Sequence, residues 1–119
     1  MTNEELDRWL AERVMGWHFV EATPHLRISA RWRGDDGLLE YTINDWHPTT
    51  NIAQAIEAAE KARTKGRIGD WVLLSPAGNT ISRPMAEITL DGGFFFSRDA
   101  DAYSLALCRA LYDALRYRP

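Results

Sequence analysis

The chain has 119 residues, 45% of them hydrophobic and 26% charged, with five tryptophans and a single cysteine. That length suits one domain, and the aromatic content is too high for a disordered chain. The net charge of −3 disfavours the concentrated basic surface that grips a nucleic-acid backbone, and one cysteine excludes an internal disulfide.

In chain order, Thr2-Asn3-Glu4-Glu5 has capping-box spacing. Leu6, Trp9, Leu10 and Val14 then recur at helical steps until Gly16. A first helix is predicted over about 3–15, with Glu5, Asp7, Arg8, Glu12 and Arg13 on a solvated face. Next, Leu26, Ile28, Ala30 and Trp32 alternate with Arg27, Ser29, Arg31 and Arg33, and Gly34-Asp35-Asp36-Gly37 reads as a turn before a second strand from Leu38 to Ile43. This predicts a β-hairpin.

The segment Asn44 to Asn51 is rich in turn and capping residues, and a second helix is predicted from Ile52 to Arg63 with Ile52, Ala55, Ile56 and Ala59 on one stripe. Trp71 to Leu74 reads as a buried strand, Pro76-Ala77-Gly78-Asn79 as a turn, and Met85 to Leu90 as an alternating strand broken by Gly92-Gly93. Phe94-Phe95-Phe96 reads as the buried end of a strand or as a strand of its own. Ser97-Arg98-Asp99 has the pattern of a cap, and the stripe Tyr103, Leu107, Ala110, Leu111, Ala114 and Leu115 predicts a last helix. The order is that of a single α+β domain over 1–119: three helices on one antiparallel sheet of four to five strands.

Three segments in order and spacing resemble a family of small bacteriophage proteins, the phage ABA sandwich domain. They are Leu10-Ala11-Glu12-Arg13-Val14-Met15-Gly16-Trp17, Trp46-His47-Pro48-Thr49-Thr50-Asn51-Ile52-Ala53-Gln54-Ala55, and Asp101-Ala102-Tyr103-Ser104-Leu105-Ala106-Leu107-Cys108-Arg109-Ala110-Leu111. The resemblance implies a three-layer α/β/α sandwich and a phage or prophage origin. It brings no catalytic residues and no cofactor.

No constellation in the chain points to catalysis. His18, His25 and His47 lack metal-pair spacing, no serine sits in a nucleophile elbow, and Cys108 lies in an apolar stripe where a thiol is inert. The paired carboxylates fall in turns and caps. No metal and no cofactor are expected.

The segment Trp46 to Asn51 is the leading candidate site. Thr49, Thr50, Asn51 and the first amides of the following helix could hold a phosphate, with His47 beside them and Trp46 stacking a base. The alternative is that Thr50 or Asn51 caps the helix while Trp46 plugs the core. Trp17 and Trp32 likewise sit near loops or arginines, where rings can meet flat ligands, whereas Trp9 and Trp71 suit the core; Arg31 could supply an anion fork.

With the phage setting, the expectation is a non-enzymatic protein that sequesters a nucleotide-derived immune signal, a cyclic oligonucleotide or a cyclic ADP-ribose relative. Its ligand-binding residues would be Trp17, Arg31, Trp46, His47, Thr49, Thr50 and Asn51, and it would work as a homo-oligomer. The alternatives are a protein–protein adaptor or inhibitor of a host protein, and a small hydrolase of the same signal. The polar start and the absence of a long apolar run lead us to expect a cytosolic protein without membrane or nucleic-acid-polymer partners.

Overall fold

Thr2 opens the chain's first helix as its sequence spacing implies, by accepting the Glu5 amide on its hydroxyl at 3.2 Å. This computed structural model describes residues 1–34, 40–42, 44–74 and 83–117. The chain divides into two compact units, Met1–His47 and Pro48–Pro119.

The N-terminal unit contains α1 (Asn3–Arg13) and three short strands, β1 (His18–Val20), β2 (Arg31–Arg33) and β3 (Glu40–Thr42). Gly16 ends the helical run by turning at φ 72°, a conformation costly to residues with a Cβ. The strands form an antiparallel sheet in the order β1-β2-β3, whose central row aligns Phe19, Trp32 and Tyr41. Leu6, Leu10, Ala11, Val14, Met15, Trp17, Trp32 and Trp46 are its buried apolar residues.

The expected strand from Leu26 to Trp32 shrinks to Arg31–Arg33. Pro24, whose ring fixes φ and which lacks an N–H, starts a 3-10 turn over Pro24–Leu26, and Arg27 follows at φ 57°. Leu26 and Ile28 are consequently exposed, so their apolar alternation with arginine marked no buried face. Glu40–Thr42 does pair with β2 as the hairpin reading required. The turn at 35–37 and the remaining positions of the second strand, 38, 39 and 43, lie outside the described residues, as does the turn at 76–79.

The C-terminal unit contains α2 (Ile52–Thr64), β4 (Asp70–Leu74), β5 (Met85–Thr89), β6 (Phe95–Asp99) and α3 (Tyr103–Tyr117). Asn51 caps α2 by accepting the Gln54 amide at 3.1 Å. The buried stripe of α2 is Ala55, Ala58, Ala59 and Ala62, with Ile52 exposed. Small residues let two helices approach closely, and α2 does contact α3. The strands form a second antiparallel sheet, β4-β5-β6, against which α3 packs through β5 and β6. Ala86 and Ile88 of β5 and Ala106, Leu107, Cys108, Ala110, Leu111, Ala114 and Leu115 of α3 are buried.

One expectation fails here and another holds in part, for one reason. Ser97-Arg98-Asp99 does not cap α3 but continues β6, because Phe96 pairs with Ile88 and the ladder runs on to Asp99 opposite Met85. The run Phe94-Phe95-Phe96 opens a strand of its own, β6, at the turn end of the β5–β6 hairpin, where Phe94 and Phe95 stay 60% and 62% exposed. The fold is α+β with three α-helices among the described residues, as expected. The described strands number six in two three-stranded sheets, where one sheet of four to five strands was expected.

Candidate functional site

The first two turns of α1, the middle of β2 and the segment after β3 enclose a cleft of 590 Å³ in the N-terminal unit. Thr2, Glu4, Glu5, Asp7 and Arg8 line it from α1, Trp32 from β2, and Asn44, Trp46 and His47 from the segment after β3. Volumes of this order accommodate small-molecule ligands.

Trp46 makes the wall and is itself only 2% exposed. Its indole N–H donates to the Asp7 carbonyl at 2.9 Å, its ring meets Trp17 edge-on at 4.6 Å, and Trp17 stacks on Tyr41 at 4.9 Å. A buried indole needs an acceptor for its one donor, and Asp7 supplies it. Trp17 and Trp32 are 5% and 3% exposed, and Trp32 leans edge-on to Phe19 at 5.4 Å.

This corrects the expectation of open indole platforms. The three rings assigned to ligand stacking are the three that packing seals, whereas Trp9 and Trp71, assigned to the core, are half-buried. Proximity to loops misled because β1, β2 and β3 are only three residues each, so almost every residue of this unit is near a loop. Trp17, Trp32 and Trp46, each large enough to bury 150–250 Å², supply the interior that such short strands cannot fill from alternation alone.

The polar half of the cleft comes from α1. The Asp7 side chain is 9% exposed, with His47 Nδ1 3.6 Å from its Oδ2 while His47 itself is 46% exposed. The Arg8 guanidinium lies 4.4 Å from the Phe19 ring centre and 5.9 Å from that of Trp32, and its Nε reaches Glu12 at 3.4 Å. Ring faces and a carboxylate thus orient Arg8 at the rim. Glu5 is turned by the Thr2 hydroxyl, which donates to its Oε1 at 3.1 Å. Three carboxylates stand against one guanidinium and one imidazole.

Of the residues singled out in sequence, Trp32, Trp46 and His47 line this cleft. Trp17 backs it as part of the aromatic cluster, and Arg31, half-buried in β2, is not among its lining residues. Thr49, Thr50 and Asn51 belong to the C-terminal unit. There Thr49 is buried with its carbonyl accepting the Ser104 hydroxyl at 3.0 Å, Asn51 is engaged as the α2 cap, and Thr50 is exposed.

The sequence reading gave no site role to Thr2, Glu4, Glu5, Asp7, Arg8 or Asn44. For Asp7 the signal was present: positions 7, 10, 11 and 14 follow one helical stripe, and the other three are buried apolar residues. Among the described residues no group of three His, Cys, Asp or Glu side chains is placed to hold a metal ion, and no helix is long and apolar enough to cross a membrane.

No family model matches the chain, and no curated protein matches it. Among solved structures, a phage protein from Bacillus cereus ATCC 14579 is similar in fold, with a TM-score of 0.68 at 13% identity over 98% of this chain and 89% of that one. At that identity the likeness is one of fold.

Proposed function

We propose that this chain is a phage-type, non-enzymatic binding protein that captures a small guest in the cleft between α1, β2 and the Asn44–His47 segment. The observation that carries this reading is a cleft of ligand size whose buried Asp7 carboxylate stands beside the half-exposed His47. A carboxylate in a sheltered site recognises hydrogen-bond donors and positive charge more strongly than one in water. Glu4 and Glu5 extend that preference to the rim. The matching guest therefore presents an amine, amidine or similar donor-rich edge.

A nucleobase offers such an edge, and this supports keeping a nucleotide-derived signal as the guest class, held by its base rather than by stacked indoles. Arg8 and His47 are the two groups on the lining suited to a phosphate, so a guest with one phosphate fits the charge balance better than a cyclic dinucleotide with two.

Thermal-shift titration with guanosine monophosphate, cyclic ADP-ribose, a cyclic dinucleotide and the amine agmatine tests the reading. A saturating guest raises stability by about 2.7 kcal/mol at a hundred times its Kd. Asp7→Asn should weaken retention by on the order of tenfold or more, since hydrogen bonds to charged groups contribute about 1.5–3 kcal/mol. Glu4→Gln, on the exposed turn of α1, should weaken it without affecting folding. Guest recovered intact after denaturation supports a binding protein, and altered guest makes the chain a hydrolase. No shift with any of the four rejects the cleft as a site for this guest class.

A further inference from the structure

β6 is the outer strand of its sheet, with β5 on one side and, among the described residues, no strand on the other. Its hydrogen-bond phase follows from its two ends. The Leu90 N–H donates to the Phe94 carbonyl at 2.7 Å, and the Ala100 N–H donates to the Pro84 carbonyl at 3.1 Å. In an antiparallel ladder these groups alternate, so Phe94, Phe96, Arg98 and Ala100 direct their main-chain groups to β5. Phe95, Ser97 and Asp99 direct theirs away from the sheet, and all three residues are exposed.

Soluble proteins usually blunt such an edge with charge, proline or a bulge. Here Arg98 and Asp99 stand only at its far end, and both are engaged within the chain, with Asp113 at 2.7 Å and Arg83 at 3.6 Å. Phe95-Phe96-Ser97 has no such protection, and Phe95 is 62% exposed on an otherwise ordered strand.

We propose that β6 pairs antiparallel with β6 of a second copy of this chain, about a two-fold axis at Ser97, joining two three-stranded sheets into one. The phase selects this register. Residues 95, 97 and 99 must face residues of the same set, and only an axis at Ser97 gives all three a partner: Phe95 faces Asp99 of the other copy, Ser97 faces Ser97, and Asp99 faces Phe95. Each facing pair forms two main-chain hydrogen bonds.

Side chains agree with this register. No like charges stand opposite each other, and on the face that carries α3 each Arg98 lies across from Phe96 of the other copy, a cation beside a ring. A two-fold contact of this kind is closed, so it yields a dimer and not a fibre.

The test is mass and cross-linking, which do not depend on whether the cleft holds a guest. Light scattering on the purified chain at high micromolar concentration should give twice the 13.6 kDa chain mass. Ser97→Cys should form a reducible disulfide dimer under mild oxidation, because facing hydrogen-bonded residues have Cα atoms about 5.5 Å apart, within disulfide range. Cys108 is buried and contributes no background. Ser97→Pro removes an outward N–H that β5 does not use, and should halve the mass while leaving the melting temperature of the dilute protein unchanged. Should that variant fail to fold, Ser97→Lys places two like charges at the axis and should also be monomeric. A monomeric wild type, a dimer that survives both substitutions, or Ser97→Cys without a disulfide overturns the proposal, including the case where the edge serves a different protein.

Discussion

Trp46 shows how a single side chain can satisfy two opposite sequence readings until its hydrogen bond is known. A ring beside a helix start is suited to stacking a base, and a ring two residues before a proline is equally suited to closing an interior. The bond from its indole to the Asp7 carbonyl, with Trp17 and Tyr41 packed on the ring, makes it structural. Trp46→Ala would leave a cavity of indole size and remove the indole's bond to the Asp7 carbonyl, at a cost of about 3–5 kcal/mol. Urea denaturation followed by far-ultraviolet dichroism should show that loss as a lowered midpoint, a large fraction of the stability of a chain this size. A loss of guest retention at unchanged stability would instead return Trp46 to the role of a stacking platform. Asp7 was legible by helical arithmetic. The contact between Asp7 and residues 46–47 was not, since it joins positions 39 and 40 apart with no local pattern to announce them.

At the scale of elements, the helix ends were the most readable features because their signals are local: Thr2 and Asn51 each hold an amide three residues on, as cap spacing implies. The strand ends were less readable, because a strand's length depends on its neighbour's register, as with Ser97-Arg98-Asp99. One contact between elements is open to a pH test. Glu60 of α2 accepts the Trp71 indole N–H of β4 at 2.9 Å and the Arg63 guanidinium at 2.8 and 3.0 Å. These bonds, Arg63 first and Trp71 second, hold its carboxyl below the usual carboxylate range despite a small opposing effect of desolvation. A carboxyl whose folded pKa is depressed binds its proton more weakly in the folded chain. Its contribution to stability is thus complete above the unfolded value, near 4.3, and is lost as pH falls through the folded value. The melting temperature of Glu60→Gln should lie below that of the wild type at neutral pH, and the two should converge as the pH falls through the folded value and Glu60 takes up its proton. A gap that is constant with pH would show that Glu60 contributes only neutral packing. The group is solvent-exposed, so the gap should be small and shrink further in high salt.

For the whole molecule, α+β composition and helix number could be read from periodicity, whereas partition of the strands into two sheets could not, because pairing partners are chosen across long stretches of chain. The same limit hid the open edge of β6: three phenylalanines in a row read as interior until the ladder showed Phe94 and Phe95 at an exposed hairpin end. If two copies close that edge, stability acquires a concentration term wherever the dimer is the native state. For a native dimer melting to two unfolded chains, each tenfold rise in concentration adds about 1.4 kcal/mol per dimer. With the unfolding entropy of two chains of this length, that raises the melting temperature by roughly 2–4 °C per decade. Calorimetry of the wild type over two decades of concentration should show this slope, and Ser97→Pro should be flat. A wild type as flat as the variant would mean that Phe95 and its edge face water in the native state, and that the sheet of the C-terminal unit ends at β6.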